Sequence, residues 1–359
     1  MTELIDILKA KINEKGPISV FEYMDMALAH PKLGYYQKAD PFGNSGDFIT
    51  APEISQMFGE LIGLWCVDCW IKLGTPDHFH LMELGPGQGT LMSDALRSSA
   101  IAPEFLKAVK VHMVETSDRL ENIQRQNLSS HKVQWHTEIP KIEDGPLIVI
   151  ANEFFDALPI RQFEFKNENW FERQISLNDG EFSHTLSPSP TSPELVGSVD
   201  RNSIEENSIA EVNPLAREIV SSLSLMISKQ GGAALCIDYG PMESAFGDSF
   251  QAVQDHKFVD VFHNPGLTDL TAHVDFEVLS NIASDKGCTS LPLSTQGRFL
   301  ERLGIEARVW QLSKNATTEQ KEKIASDMKR LVSTQEMGTL FKVLSFYHAM
   351  QEPPSGFGE

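Results

Sequence analysis

No apolar run in this chain approaches the roughly 20 residues that a helix needs to cross a bilayer. Its first stretch, MTELIDILKAKI, lacks the pattern of a secretory signal and the arginine-rich pattern of a transit peptide. The expectation is a soluble protein without membrane insertion, cytoplasmic in a bacterium, because a mitochondrial matrix location calls for a presequence. Cysteine is scarce: four in 359 residues do not make a disulfide framework. Cys66 and Cys69 form a C-x-x-C, but no second pair at zinc-ligand spacing accompanies it. Both sit in the apolar helical run Phe58 to Leu73, so they read as buried helix residues, and no metal is expected. Positive charge is also short. With 30 Lys+Arg against 50 Asp+Glu, the formal net charge is −20, and most of such a surface repels a nucleic acid backbone. No internal repeat is present.

Apolar residues are plentiful, at 41% of the chain, enough for one large core or two ordinary ones. Helical spacing marks residues 3–15, ended by Gly16-Pro17, and a second helix from about Ser19 to about Ala29. From Asp77 the pattern becomes strand, loop, helix. Strands are expected at 78–84, 109–115, 132–137, 146–151 and 233–238, with helices at 90–98 and 118–128 between the early ones. The run PLIVIA is continuously apolar, as in a strand covered on both faces. Residues 161–185 alternate about a turn at Asn178-Asp179-Gly180 and read as an inserted antiparallel hairpin. Residues 187–213 read as an exposed loop and 240–271 as irregular. Helices at 274–286 and 295–303 precede a last strand at 337–347. Alternating β and α units imply a parallel sheet with right-handed crossovers.

The stretch HLMELGPGQGT, His80 to Thr90, carries the chemistry. An apolar strand enters Glu83, then a loop with Gly85, Pro86, Gly87 and Gly89, then a helix at once. A tight turn whose backbone approaches a ligand excludes a Cβ. The spacing is G-x-G-x-G rather than the G-x-G-x-x-G of a dinucleotide site, which disfavours a nicotinamide dehydrogenase. Glu115 ends the next strand, 26 residues past Gly89, where an acid can accept both ribose hydroxyls of an adenosine cofactor. After the apolar strand at 146–151 comes Asn152-Glu153-Phe154-Phe155-Asp156, polar groups where open α/β sheets bind ligands. The segment GDFITAPEISQMFGE adds Asp47, Thr50 and Glu53 at a loop-to-helix transition. Thr50 could also be an N-cap there, with Glu53 its capping-box acid. His273 in TAHVD is either a base or a hydrogen-bonded core residue.

The G-x-G-x-G loop, with an acid two residues before it, resembles the first motif of class I S-adenosylmethionine-dependent methyltransferases. From about Ile18 to Tyr347 the chain resembles the MidA-like family of these enzymes, which includes an arginine-methylating assembly factor of mitochondrial complex I. The motifs are GDFITAPEISQMFGE, ELGPGQGTLMSDALR, VETSDRLENIQ, ANEFFDALPIRQF, IDYG, DLTAHVDF, TQGRFLERLGI and MGTLFKVL. Thr116 and Glu121 replace an expected proline and arginine, and Phe250 to His256 lacks an arginine common in that family.

The resemblance implies an α/β, Rossmann-like class I methyltransferase with a seven-stranded, mostly parallel sheet. It implies an N-terminal helical cap over 1–76, a catalytic domain over 77–349 with an insertion at about 161–213, and a tail at 350–359. It implies S-adenosyl-L-methionine as cofactor on Glu83, Gly85, Pro86, Gly87, Gly89 and Glu115. Asn152, Glu153 and Asp156 are the implied catalytic residues, and Asp47, Thr50, Glu53 and His273 line the substrate side. The expected substrate is an arginine of a protein, a respiratory complex I subunit or related partner. The competing readings are methylation of a small molecule or another side chain, or an assembly factor that keeps the fold without turnover.

Overall fold

The computed structural model describes residues 3–38, 50–196 and 204–358. These form two compact units. The larger is built from Ile49–Phe155, Ile219–Met242 and Phe276–Glu359, the smaller from Met1–Phe48, Asp156–Glu218 and Glu243–Asp275. The boundary expected after residue 76 separates neither: the helix before it and the strand after it share the larger unit. Among the described residues no helix is long and apolar enough to cross a membrane.

The larger unit holds an α/β sheet. Five strands run parallel: β1 (Phe79–Leu84), β2 (Val109–Val114), β3 (Val133–His136), β4 (Leu147–Asn152) and β5 (Gly232–Tyr239). Their order is β3-β2-β1-β4-β5, with Leu81 beside Val111 on one side and Ile148 on the other. Every residue of β1, β4 and β5 is buried, which explains their near-continuous apolar sequences. Among the described residues the sheet has eight strands where seven were expected. Beyond β5 runs an antiparallel strand, Phe341–His348, and the far edge is split into β6 (Thr289–Ser290) and β7 (Ser294–Thr295). Pro292 lies between the two short strands and has no N–H for the ladder. The long strand becomes β8; it starts at Phe341 because Met337–Leu340 is a helical turn, not strand.

Helix α1 (Gln56–Lys72) packs on α2 (Thr90–Ser98) so closely that a Cβ on Gly63 would stand 2.4 Å from the Ala95 carbonyl oxygen. The buried Cys66 and Cys69 lie in α1 as free thiols, whose ionisation burial suppresses. Helix α3 (Asp118–Asn127) joins β2 to β3. Two helices not expected from the sequence occupy Ile305–Ser313 and Thr318–Val332, the second opened by a capping box between Thr317 and Gln320.

In the smaller unit the helices Glu3–Lys15 and Val20–Ala29 share one core with the inserted strands. Leu4, Leu8, Tyr23 and Met24 pack with Ile160, Ile175 and Leu270. Ser19 caps the second helix, accepting the Glu22 N–H at 3.1 Å. The expected hairpin belongs to a five-stranded antiparallel sheet. Asn169–Asn178 pairs with Glu181–Leu186 across Asp179-Gly180, both at positive φ as such a turn needs. Ile209–Val212, inside the expected loop at 187–213, is a strand pairing with Arg161–Lys166, and burial of Ala210 and Val212 accounts for it. The stretch 240–271, read as irregular, contains a three-stranded sheet of Gln251–Gln254, Lys257–Val259 and Asp269–Thr271.

Candidate active site

Strand order reverses between β1 and β4, so their carboxyl ends flank the crevice where open α/β sheets bind ligands. At the end of β1 the chain turns through Gly85, Gly87 and Gly89, at φ +58°, +53° and +78°. Three left-handed residues in alternation need glycine. The loop is closed by Gly85 N–H to Val114 O (3.1 Å) and Gly89 N–H to Pro86 O (2.7 Å). Gly89 is the N-cap of α2 and has no side chain to cap it. Glu83 takes over: its buried carboxyl accepts the Met92 N–H of the first turn. Burial pushes this acid up to about 8, a rise the Met92 contact partly offsets. Glu83 therefore supports the loop from beneath.

Glu115 follows β2 directly. Its Oε1 accepts the Ser117 N–H at 2.8 Å and its Oε2 the Gln124 amide at 3.1 Å. Burial raises its pKa, and the donors of Ser117, Gln124 and Thr116 oppose that rise. A carboxylate has about four acceptor sites, so capacity remains for a ligand hydroxyl. Gln124 was not among the expected site residues. It is fully buried beside Leu120 on the inner face of α3, and a glutamine on an apolar stripe was the available signal.

At the end of β4, Asn152 and Glu153 stand together: Asn152 Nδ2 donates to Glu153 Oε1 at 3.2 Å. Glu153 has φ +50°, costly for a residue with a side chain, and its N–H continues the sheet to Ile237 O at 2.8 Å. Its Oε1 also accepts the N–H of Ala51, first residue of the helix Ala51–Ile54. Asp238 at the end of β5 is fully buried and accepts the N–H groups of Phe155 and Tyr239, both at 2.9 Å, so it holds this loop in place. The sequence showed Asp238 only as part of IDYG. Thr50 occupies the N-cap position but makes no side-chain cap bond, so the expected capping box is absent. Glu53 instead accepts the Thr90 hydroxyl at 2.6 Å, at the start of α2. The larger unit thus brings together Glu83, the glycine loop, Glu115, Asn152, Glu153 and Glu53.

In the smaller unit Asp156 is buried and its carbonyl accepts the Ala272 N–H at 3.0 Å, which brings the TAHVD stretch to it. His273 is exposed rather than a core residue. Its N–H donates to Ser249 Oγ at 2.8 Å, and that hydroxyl donates to Glu211. Asp47 lies outside the described residues.

Nest-like glycines beside a buried acid with acceptor capacity fit an adenosine cofactor: the loop admits close backbone approach, and Glu115 suits ribose hydroxyls. Comparison with known proteins points the same way. The sequence pattern of a family described as S-adenosyl-L-methionine-dependent methyltransferase matches residues 61–294. The Drosophila melanogaster protein named protein arginine methyltransferase NDUFAF7 homolog, mitochondrial, is 38% identical over 98% of this chain and 87% of its own. Its Homo sapiens counterpart is 35% identical over 95% of this chain and 82% of its own. A crystal structure from Burkholderia thailandensis that holds S-adenosyl-homocysteine superposes with a TM-score of 0.85 at 27% identity, covering 98% of this chain and 93% of that one. With a family pattern across most of its length and curated relatives above 30% identity, this chain belongs to the MidA-like family of S-adenosyl-L-methionine-dependent methyltransferases.

Proposed function

We propose that the methyl acceptor is an arginine side chain of a protein, with a respiratory complex I subunit or a related partner as the substrate class. The observation that carries the reading is Glu153, an acid held at φ +50° at the end of β4, beside the cofactor loop. Strain of this kind persists where the surroundings enforce it, and here Asp238 and the sheet bond to Ile237 do so. The names of the curated relatives support a protein arginine as acceptor, and the complex I subunit rests on the family resemblance alone.

S-adenosyl-L-methionine, when bound, supplies an electrophilic methyl group. The chain's task is orientation. A guanidinium is a poor nucleophile because its charge is delocalised and its pKa exceeds ~12. A carboxylate on one edge concentrates that charge and leaves the opposite nitrogen richer in electron density. Glu153 is the first candidate for this role and Asp156, three residues on, the second. In the larger unit Glu53 and Asn152 join Glu153 in the polar wall. Glu153 already accepts from Ala51 and Asn152 through Oε1, which fixes how its carboxylate is presented.

The test is incubation of the pure protein with radiolabelled cofactor and a lysate lacking it, followed by mass spectrometry of labelled bands. Methylarginine is the expected product; label confined to lysine or to small molecules defeats the reading. Glu153→Gln keeps an oxygen for the Ala51 N–H but loses the charge. Transfer is expected to fall ~10²–10³-fold with cofactor affinity nearly unchanged.

A further inference from the structure

We infer that Gln124 is a positioning residue for the cofactor: from α3 it sets both the ribose-binding acid and the glycine loop. Its side chain is fully buried, and all its polar atoms are engaged. Nε2 donates to the Gly87 carbonyl at 2.8 Å and to Glu115 Oε2 at 3.1 Å. Oε1 accepts the Trp135 indole N–H at 3.0 Å. One amide therefore ties together the three elements that close around an adenosine: the loop after β1, the acid after β2, and β3.

The direction of the amide follows from its partners. An indole N–H can only donate, so the glutamine must turn its oxygen to Trp135. Its NH₂ then faces two acceptors, the Gly87 carbonyl and the Glu115 carboxylate. Trp135 is itself fixed by the Arg125 guanidinium, 4.0 Å over its ring. One turn of α3 further on, Asn127 Nδ2 donates to the Gln88 carbonyl at 2.9 Å. Two successive loop carbonyls are thus held by side-chain amides of the same helix. Because a peptide unit is planar, fixing the Gly87 carbonyl also fixes the N–H of Gln88.

For Glu115 the consequence concerns orientation. Its Oε1 is set by the Ser117 N–H, and its Oε2 by Gln124. Without the amide the carboxylate keeps only the backbone donors of Ser117 and Thr116, and Oε2 loses the side-chain donor that sets it against the glycine loop, so a ribose diol meets an acid that is less well preorganised. A residue whose role was only to fill the core would affect all ligands alike. Gln124 is expected to affect ligands according to their ribose hydroxyls.

The test uses the full-length protein and calorimetry with two probes, S-adenosyl-homocysteine and its 2′-deoxyribose analogue. The wild type is expected to prefer the first. Gln124→Met fills a similar volume without the amide, and the preference should fall about tenfold, the scale of a charge-assisted hydrogen bond. In a Glu115→Ala background the same change should alter the preference by less than about twofold, because the acid it positions is gone. A folded Gln124→Met that retains the wild-type preference, or an equal loss with and without Glu115, overturns the inference. Should that variant fail to fold, Trp135→Phe decides, since it frees the amide to flip at a partly exposed site. It should lower the preference about threefold, and an unchanged preference is a refutation. Failure of the wild type to bind S-adenosyl-homocysteine at all would instead strike at the cofactor assignment on which the inference rests.

Discussion

The ring of Phe154 lies directly on Gly85: a Cβ on that glycine would stand 2.7 Å from Phe154 Cδ2. The residue after Glu153 is thereby seated on the first glycine of the cofactor loop, so this contact helps register the polar loop after β4 against the loop after β1. Gly85→Ala breaks two requirements at once. It puts a side chain at φ +58° and forces the ring away. Cofactor affinity is expected to fall at least ~10-fold, on the scale of backbone strain of 1–3 kcal/mol. Adding Phe154→Ala should restore part of it by giving the new methyl room. Calorimetry on the single and double variants checks this, and a double variant no better than Gly85→Ala would show the ring contact to be irrelevant.

Glu83 makes a prediction of opposite character, about pH. Burial holds it up at about 8, against an ordinary value near 4.5. A raised acid favours the neutral form in the fold, so its stability contribution is full below about 4.5 and is lost as pH rises through 8. Glu83→Gln keeps an oxygen for the Met92 N–H and cannot ionise. Its NH₂ takes the place of the buried Glu83 Oε2, which has no hydrogen-bond partner among the described residues, and a donor left without an acceptor there costs about 1–3 kcal/mol at every pH. The variant should therefore melt below the wild type at pH 5, with the gap narrowing or reversing by pH 9. A melting-temperature difference that stays flat across that range would contradict the neutral-acid picture.

Glu60 of α1 is almost fully buried and receives two arginines. Arg308 Nε and Nη2 reach it at 2.6 and 2.8 Å and Arg97 Nη1 at 2.6 Å. Burial alone would raise its pKa, but the hydrogen bonds from Arg308 and Arg97 outweigh it and hold the carboxyl below its ordinary value. This acid ties the helix Ile305–Ser313 to α1 and α2. Glu60→Ala should destabilise the protein by about 3 kcal/mol, the lower end for breaking a buried pair, because Arg97 is half exposed and can be rehydrated. Denaturant unfolding measures the loss, and a change below about 0.5 kcal/mol would place Glu60 among ordinary surface ion pairs.

Much of the α/β core was legible because its signals are local. Helix Thr90–Ser98 falls on the predicted span, since a glycine turn starts it and apolar residues recur at helical spacing. The buried strands announced themselves by unbroken apolar runs. What escaped was set by partners distant in sequence. Gln251–Gln254 and Lys257–Val259 are too short and polar to read as strands, and Ile209–Val212 earns its pairing from Arg161–Lys166. Thr50 and Glu53 spelled a capping box, yet Thr90 competes for the Glu53 carboxylate and Glu153 takes the helix N–H instead. The capping box at Thr317 and Gln320, by contrast, is a local signal, a threonine followed three residues on by a glutamine that accepts its N–H. Gln124 and Asp238 act through hydrogen bonds to groups on other elements, which no spacing rule encodes.

The last prediction concerns three histidines lying side by side on one face of the sheet. His80 of β1, His112 of β2 and His136 of β3 form a ladder. His80 Nδ1 meets His112 Nε2 at 2.8 Å, and His112 Nδ1 meets His136 Nε2 at 3.0 Å. His80 Nε2 lies 3.1 Å from the Asp144 carboxylate, whose other oxygen pairs with Lys110 at 2.8 Å. Asp144 can only accept while ionised, so His80 donates to it from Nε2 and accepts at Nδ1, and the same tautomer follows in His112 and His136. A proton added to the Nδ1 of His80 or His112 sets two donors face to face. Burial, then the neighbouring His80 and His136, hold His112 down at about 4, and burial lowers His80 and His136 as well. In the unfolded chain these imidazoles take up protons near 6.5. The fold is therefore fully stabilised by the neutral ladder above about 6.5, and loses that contribution as pH falls from 6.5 to 4. His112→Leu removes the middle rung. It should cost about 1–3 kcal/mol at pH 8, where His80 and His136 lose a partner, and should flatten the fall in stability between pH 6.5 and 5, a range above the titration of most carboxylates. Urea midpoints for both proteins across that window measure the slope, and parallel curves would show that the ladder does not couple folding to protons.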